Sequence, residues 1–209
     1  YVNGWKDTEK ICSDNSNEVR QLLIYGTLCS DGSVTFENGE AKQIGDPTET
    51  SIIMAAHQNN LDQEVLAKRY PRVAELPFDS DRKRMTSVNI VDGHPIAIVK
   101  GAFDGIAPRC VKGDLKAAAR MNDRMSENAL RVLAIACKEL AEVPQQPQIE
   151  DLEQGLTFLG LVGMIDPPRP EAKDAVAVCR QAGIRPVMIT GDHVVTASAI
   201  AKELGILRE

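Results

Sequence analysis

The sequence contains no cysteine pair, no strongly basic tail and no long hydrophobic run. Its five cysteines are scattered singly, which favours reduced thiols in a cytosolic protein over disulfides. No Cys/His cluster has the spacing of zinc ligands, so no metal site is predicted. The formal net charge of −6 argues against nucleic acid as a partner. The longest apolar runs, Val132–Cys137 and Leu156–Ile165, are strand-sized, whereas a membrane span needs about 20 residues.

Several well-known catalytic and phosphate-binding motifs are also missing. Neither G-x-x-x-x-G-K-[ST] nor G-x-G-x-x-G occurs, so neither a P-loop nor a dinucleotide fingerprint is present. His57, His94 and His193 have no plausible serine or cysteine nucleophile to pair with, which favours structural roles for them.

The first three quarters of the chain predict an α+β domain with an antiparallel sheet and flanking helices. Asp46 is placed as the N-cap of a helix that starts at Pro47, with Glu49 in the capping-box position. Asn60 is placed as the cap of the next helix. Further along, Asp92-Gly93 is a strong signal for a two-residue hairpin loop.

The pattern changes near residue 155. Leu156–Ile165 and Pro186–Thr190 look like strands buried on both faces, and Pro170–Ala182 and Val194–Leu204 look like helices. This β-α-β-α order predicts a piece of a parallel α/β sheet. We therefore expect two domains, 1–155 and 156–209. The open edges of the second one predict either mobility or pairing with a second copy of the chain.

The predicted hairpin brings basic residues together. With a two-residue loop, Lys100 faces Met85, and Lys83 lies on the same face, diagonal to Lys100. Phe78 comes just before them, and an aromatic ring beside basic residues can stack on a nucleotide base. The alternative is that both lysines are solvated and Phe78 belongs to the core, and the residues alone favour this alternative.

The other candidates are strand-end residues. Thr190-Gly191-Asp192 between a strand and a helix suits a magnesium phosphate, but Asp192 is equally well explained as a helix cap. Asp166, at the end of the preceding strand, fits the same magnesium phosphate or a capped linker, and the linker is favoured. Arg131 alone is typical of a surface residue, and Glu49 is accounted for by its capping box.

The order of the motifs is more specific than any one of them. It resembles the P-type ATPases, in particular the type II cation pumps, including bacterial calcium-pump-like members. The segments that carry the resemblance are GDPTET at 45–50, PFDSDRKRM at 77–85, KGAFDGI at 100–106, ALRVLAIA at 129–136, MIDPPRP at 164–170 and MITGDHVVTASAIAKELGI at 188–206.

This resemblance implies a role for each candidate. In such a pump Glu49 would contact adenine, Phe78 would stack on it, and Lys83 and Lys100 would line the pocket with Gly101 allowing close approach. Arg131 would reach the phosphates. The phosphorylation domain, which has a haloacid-dehalogenase-like fold, would contribute the residues on the hinge side and around the γ-phosphate and Mg²⁺, namely Asp166, Thr190, Gly191 and Asp192.

The resemblance also implies what would surround this chain. ATP and Mg²⁺ are the expected ligands, and the partners are the rest of the phosphorylation domain, an actuator domain and membrane helices. The motif D-K-T-G-T with the phosphorylated aspartate does not occur in the sequence. We therefore expect the cytosolic part of an integral membrane protein, in the plasma membrane if bacterial. The alternatives are a soluble haloacid-dehalogenase-type phosphatase with a cap domain and a non-enzymatic nucleotide-binding module.

Overall fold

A computed structural model describes residues 16–37, 40–128, 130–164, 170–190 and 194–207. It contains both helices and strands, with more residues in helices. The helices are α1 (Ser16–Leu28), α2 (Pro47–Gln58), α3 (Gln63–Arg69), α4 (Phe103–Ile106, continued by a 3₁₀ turn at Ala107–Arg109), α5 (Leu115–Glu127), α6 (Ile149–Leu152), α7 (Pro170–Gln181) and α8 (Val194–Glu203). The strands are β1 (Ser33–Glu37), β2 (Glu40–Ile44), β3 (Arg72–Asp79), β4 (Arg84–Val91), β5 (His94–Gly101), β6 (Cys110–Lys112), β7 (Arg131–Glu139) and β8 (Leu156–Met164).

The two helix caps predicted from the sequence have different outcomes. Asp46 caps α2, because its side chain accepts a hydrogen bond from the Thr48 N–H and Pro47 occupies the first turn, as predicted. The cap predicted at Asn60 is wrong. Asp62 caps α3 instead, accepting from the Val65 N–H, while Asn60 has a left-handed backbone with φ of 58°.

The main sheet has six strands in the order β3-β4-β5-β7-β8-β6. The pairs β3–β4, β4–β5 and β5–β7 are antiparallel, whereas β6 and β8 are parallel. The predicted hairpin is confirmed residue by residue, since Val91 pairs with His94 and Met85 with Lys100. The α+β class is confirmed. The separate two-stranded sheet of β1 and β2 lies outside this order.

One face of the main sheet packs against the first helices. Met85, Ile98 and Ile135, from three adjacent strands, are buried against side chains of α1. A Cβ built on Gly26 of α1 would lie 2.9 Å from the Ile135 and Ile52 side chains. Glycine therefore lets the helix approach the sheet closely, and this packing fixes the strand ends that carry the candidate site.

The structure differs from the sequence-based picture after residue 155. The strand at Leu156–Met164 is confirmed as a strand, but it lies within the six-stranded sheet instead of opening a second one. The strand predicted at Pro186–Thr190 is wrong, because residues 184–190 have no regular secondary structure. A strand needs a hydrogen-bonded neighbour, and no described strand pairs with this segment. Val187 and Ile189 are accordingly exposed.

The chain divides into two compact units. The first contains the described residues up to Ala119 together with Leu133–Val162, and the second contains Arg120–Val132 and the described residues from Gly163 onward. The sequence-based domain boundary near residue 155 stays a prediction, as does the haloacid-dehalogenase-like fold of the C-terminal segment. None of the helices in the described ranges is long and apolar enough to cross a bilayer.

Candidate nucleotide-binding site

An ion pair between β5 and α2 forms the centre of the candidate site. The Lys100 Nζ lies 2.7 Å from Glu49 Oε1 and donates to the Ser30 hydroxyl at 2.8 Å. The lysine side chain is only 4% exposed and that of Glu49 is 15% exposed. Lys100 is therefore not the solvated lysine that residue types alone favoured.

Glu49 holds the turn that follows α1. Its Oε2 accepts from the backbone N–H groups of Asp31 and Gly32, at 2.8 and 2.9 Å. These contacts, with the bond to Lys100, use both carboxylate oxygens, so the capping-box role predicted for Glu49 is not the one that explains its position. Arg72 of β3 also stabilises this turn, because it donates hydrogen bonds to the carbonyls of Leu28 and Ser30.

Strand register places Phe78 two strands away from Lys100. Met85 pairs with Lys100, and the β3–β4 ladder is irregular between Leu76 and Asp79, so Phe78 lies in the bulge beside Met85. Two strand spacings separate β3 from β5, or about 10 Å between backbones. The Phe78 side chain is 63% exposed, so the interpretation that Phe78 belongs to the core is wrong.

Lys83 occupies the loop between these strands. It is exposed and has a left-handed backbone with φ of 53°, one residue before β4 begins. The sequence predicted Lys83 on the same face of the hairpin as Lys100, diagonal to it. That prediction assumed strand alternation, which does not apply to Lys83 because this residue lies outside β4. Gly101 is closely packed beside it, since a Cβ there would lie 2.4 Å from the Lys83 carbonyl oxygen and 2.5 Å from the Arg84 Cβ.

The Cys29 thiol adds no charge beside Lys100. Burial raises the pKa of the Cys29 thiol, and the nearby Lys100 opposes this shift only partly. The thiol, which contacts the Ile98 carbonyl, therefore stays protonated. The single charge that balances Lys100 at short range in this part of the described chain is the Glu49 carboxylate.

The remaining candidates belong to the second unit or lie outside the described residues. Arg131 begins β7 and is exposed, and it belongs to the second unit. Thr190 is exposed at the end of the irregular segment in the same unit. Asp166, Gly191 and Asp192 lie outside the described residues. Among the described residues, no group of three or more His, Cys, Asp or Glu side chains is arranged to hold a metal ion.

Comparison with known proteins identifies the class of this chain. A family model described as "P-type ATPase, cytoplasmic domain N" matches residues 18–171. The chain belongs to the P-type ATPase family. The sequence resemblance is thereby confirmed, and the alternative of a soluble phosphatase is not favoured.

Relatives of this P-type ATPase chain carry calcium-transport names. It is 44% identical to calcium-transporting ATPase 1 of Bacillus cereus over 93% of its length, and 40% identical to the calcium-transporting ATPase of Bacillus subtilis over 95%. It is 37% identical to calcium-transporting ATPase 1 of Lactococcus lactis over 96%. The matches cover 23%, 24% and 24% of those proteins, so the chain spans about a quarter of their length.

Sequence reasoning missed how Glu49 and Lys100 are held. Ser30 and the amides of Asp31 and Gly32 surround the ion pair, yet they are distant from Lys100 in sequence and match no short motif. Their pairing follows from α1 and α2 packing on the same face of the sheet, and local spacing does not encode that.

Proposed function

We propose that this chain is the ATP-binding part of a cation-transporting P-type ATPase, with ATP bound at Phe78 of β3, Lys83 of the following loop and Lys100 of β5. The observation that carries the proposal is the exposed Phe78 near the end of β3, followed by the exposed Lys83 in the loop, with Phe78 opposite Met85, the strand partner of the buried Lys100. A large aromatic ring left exposed next to cationic groups suits an adenine base with its phosphates.

Each side chain has a defined task in this proposal. Phe78 stacks on adenine, and Lys83 meets the phosphates as a mobile point charge. Glu49 contacts adenine through the lone pairs left on its Oε1, which accepts from Lys100. Lys100 pairs with that carboxylate and lines the pocket, and Gly101 allows the tight approach of the loop. Arg131 reaches toward the phosphates.

The same proposal places the chain in a complete pump. The γ-phosphoryl group passes to an aspartate outside these 209 residues, with Thr190, Gly191, Asp192 and Asp166 next to the phosphate and Mg²⁺. Positioning and charge neutralisation supply most of the catalysis in such a transfer. The partners are the rest of the phosphorylation domain, an actuator domain and membrane helices, with this chain on the cytosolic side of the membrane. Calcium is the cation proposed, because the relatives of Bacillus cereus and Bacillus subtilis are named calcium-transporting ATPases, whereas one at 36% identity is named a sodium/potassium exporter.

Titration of the chain with ATP tests the binding site. We expect weak binding, with Kd on the order of 0.1 mM to several mM, because an open site offers stacking and lysine contacts without a closed phosphate pocket. Phe78→Ala should lose about 1–3 kcal/mol of binding free energy. Phe36→Ala is the matched control, since Phe36 is another partly exposed aromatic residue, on the separate β1–β2 sheet, where it stacks on His57.

Three outcomes would contradict the proposal. Equal ATP affinity in the wild-type chain, Phe78→Ala and Phe36→Ala would remove Phe78 from the site. Phosphate release that scales with the chain through purification would favour a phosphatase, because the pump proposal expects binding without turnover. A chain that neither binds nor hydrolyses ATP would be an interaction module.

A further inference from the structure

A buried carboxylate lies under the loop that carries Phe78 and Lys83. Glu153 follows α6 and precedes β8, and its side chain is fully buried. A buried carboxylate is strongly destabilising unless cations and hydrogen-bond donors surround it. Glu153 has such surroundings, and all of its side-chain partners come from the β3–β4 region, 67 to 71 residues earlier in the chain.

Both oxygens of Glu153 are engaged. Oε1 accepts from Arg82 and from the Thr86 hydroxyl, the latter at 2.9 Å, and Oε2 accepts from the Arg84 Nε at 2.5 Å. Thr86 and Arg84 are themselves buried. The carboxylate therefore neutralises two arginines whose side chains point inward, away from a ligand approaching the loop from solvent.

These arginines donate hydrogen bonds to the segment 77–84, which includes the end of β3, the turn and the first residue of β4. We call this segment the nucleotide loop. The Arg82 Nη2 donates to the Pro77 carbonyl at 2.7 Å, immediately before Phe78. The Arg84 Nη1 donates to the Arg82 carbonyl at 2.8 Å, across Lys83. The Glu153 carboxylate is thus linked through Arg82 to the carbonyl that precedes Phe78. It is linked through Arg84, the residue after Lys83, to the carbonyl that precedes Lys83.

The turn within the nucleotide loop has its own support. Asp79 accepts from the N–H groups of Asp81 and Arg82 through its side chain, and from the Lys83 N–H through its carbonyl. Backbone contacts also hold the turn to the sheet, since Asp79 pairs with Arg84 and the Ala102 N–H donates to the Lys83 carbonyl at 3.1 Å. Loss of Glu153 would therefore leave a formed turn that has lost its side-chain anchor. The consequence falls on the placement of Phe78 and Lys83 more than on the existence of the turn.

We propose that Glu153 is a positioning residue for nucleotide binding, which fixes Phe78 and Lys83 by anchoring Arg82 and Arg84 beneath the nucleotide loop. This inference rests on the proposed ATP site. It also gives the segment between α6 and β8 a role in binding, although that segment contributes no residue to the ligand surface.

The test compares Glu153→Gln with Glu150→Gln in the 209-residue chain. Glu150 is an exposed residue of α6, so its variant makes the same charge change nearby without touching the loop. We expect Glu153→Gln to weaken ATP binding about tenfold, or about 1.4 kcal/mol, within the range of residues coupled in one hydrogen-bond network. Glu150→Gln should bind ATP like the wild-type chain.

Amide hydrogen exchange without nucleotide separates positioning from general destabilisation. The amides of Arg82 and Lys83 should exchange faster in Glu153→Gln, while the Ile98 amide in the middle of the sheet keeps its wild-type rate. If Glu153→Gln does not fold, Arg82→Gln is the second variant. It removes the ion pair between Glu153 and the partly exposed Arg82 and leaves the Arg84–Glu153 pair intact. It should reproduce both effects.

The outcomes are distinct. Unchanged ATP affinity in folded Glu153→Gln or Arg82→Gln would overturn the inference and leave the ATP site standing. Weaker binding accompanied by equally faster exchange at Ile98 would also overturn it, because the carboxylate would then act on the whole sheet. Absence of ATP binding in the wild-type chain would refute the proposed function, and the inference would fall with it.

Discussion

At the scale of single residues, the ion pair of Glu49 and Lys100 has a structural role beside the binding role proposed for it. Its two charges connect α2, the turn after α1 and strand β5, and they are largely removed from solvent. A carboxylate already fixed by three donors keeps one geometry, so a ligand that meets it meets a preorganised acceptor. The capping-box pattern that explained Glu49 from the sequence was therefore a local coincidence of spacing.

We predict that Glu49→Ala lowers the free energy of unfolding by about 2–4 kcal/mol, because it leaves Lys100 buried beside a single hydroxyl. Combining it with Lys100→Met should recover part of this loss, since no unpaired charge then remains. Urea unfolding measures both. Glu64→Ala is the control, because the Glu64–Lys68 pair is exposed and should contribute less than about 1 kcal/mol. Equal losses in Glu49→Ala and Glu64→Ala would contradict the structural role of the pair.

Gly101 offers a second test at this scale. Gly101→Ala forces a Cβ to 2.4 Å from the Lys83 carbonyl oxygen, and backbone on both sides must move. We predict a loss of about 2–3 kcal/mol or more, by analogy with overpacked cores. Gly105→Ala provides the contrast, because its Cβ would meet atoms no closer than 3.6 Å. Thermal unfolding should show a lower midpoint for Gly101→Ala alone, and matching midpoints would show that the close approach is not constraining.

At the scale of elements, the sequence predicted what local rules determine and failed where a distant partner decides. The β4–β5 hairpin follows from Asp92-Gly93 and the alternation around it, so its register could be predicted residue by residue. The position of Lys83 could not be predicted in the same way, because Lys83 itself has a left-handed backbone and lies just before β4. Pro186–Thr190 has the composition of a buried strand, but composition cannot supply the neighbouring strand that a ladder requires.

Hydrogen exchange should distinguish these elements. We predict slow exchange at Ile98 and Leu159, which lie in strands of the main sheet, and fast exchange at Val187 and Ile189, which lie in the irregular segment. The expectation for Leu159 follows from the place of β8 next to β7. Slow exchange at Val187 in a monomeric chain would mean that the segment has hydrogen-bonded partners in solution, and concentration-dependent protection would indicate pairing between copies.

At the scale of the whole molecule, the position of β8 decides how the chain can be divided. The sequence placed the boundary near residue 155, because a continuous apolar run is typical of a parallel sheet buried on both faces. In the structure the same run lies between β7 and β6 of the six-stranded sheet. Both situations bury a strand on two faces, so hydrophobicity alone could not tell them apart. The proposed ATP site depends on this sheet through β4 and β5.

Two truncated chains test whether the nucleotide-binding domain needs β8. A chain that ends at Gly155 loses Leu156, Phe158 and Leu161, which are at most 1% exposed, and leaves β7 and β6 without the strand between them. We expect it to aggregate or remain unfolded. A chain that ends at Met164 keeps the whole sheet, Glu153 with its arginines, and every proposed ATP ligand of the first unit. It should unfold cooperatively and bind ATP within about threefold of the full chain, a difference of less than about 1 kcal/mol. Circular dichroism and ATP titration of both chains provide the measurement. A stable, ATP-binding chain ending at Gly155 would support the predicted boundary near 155 and show that β8 is dispensable to the domain that binds the nucleotide.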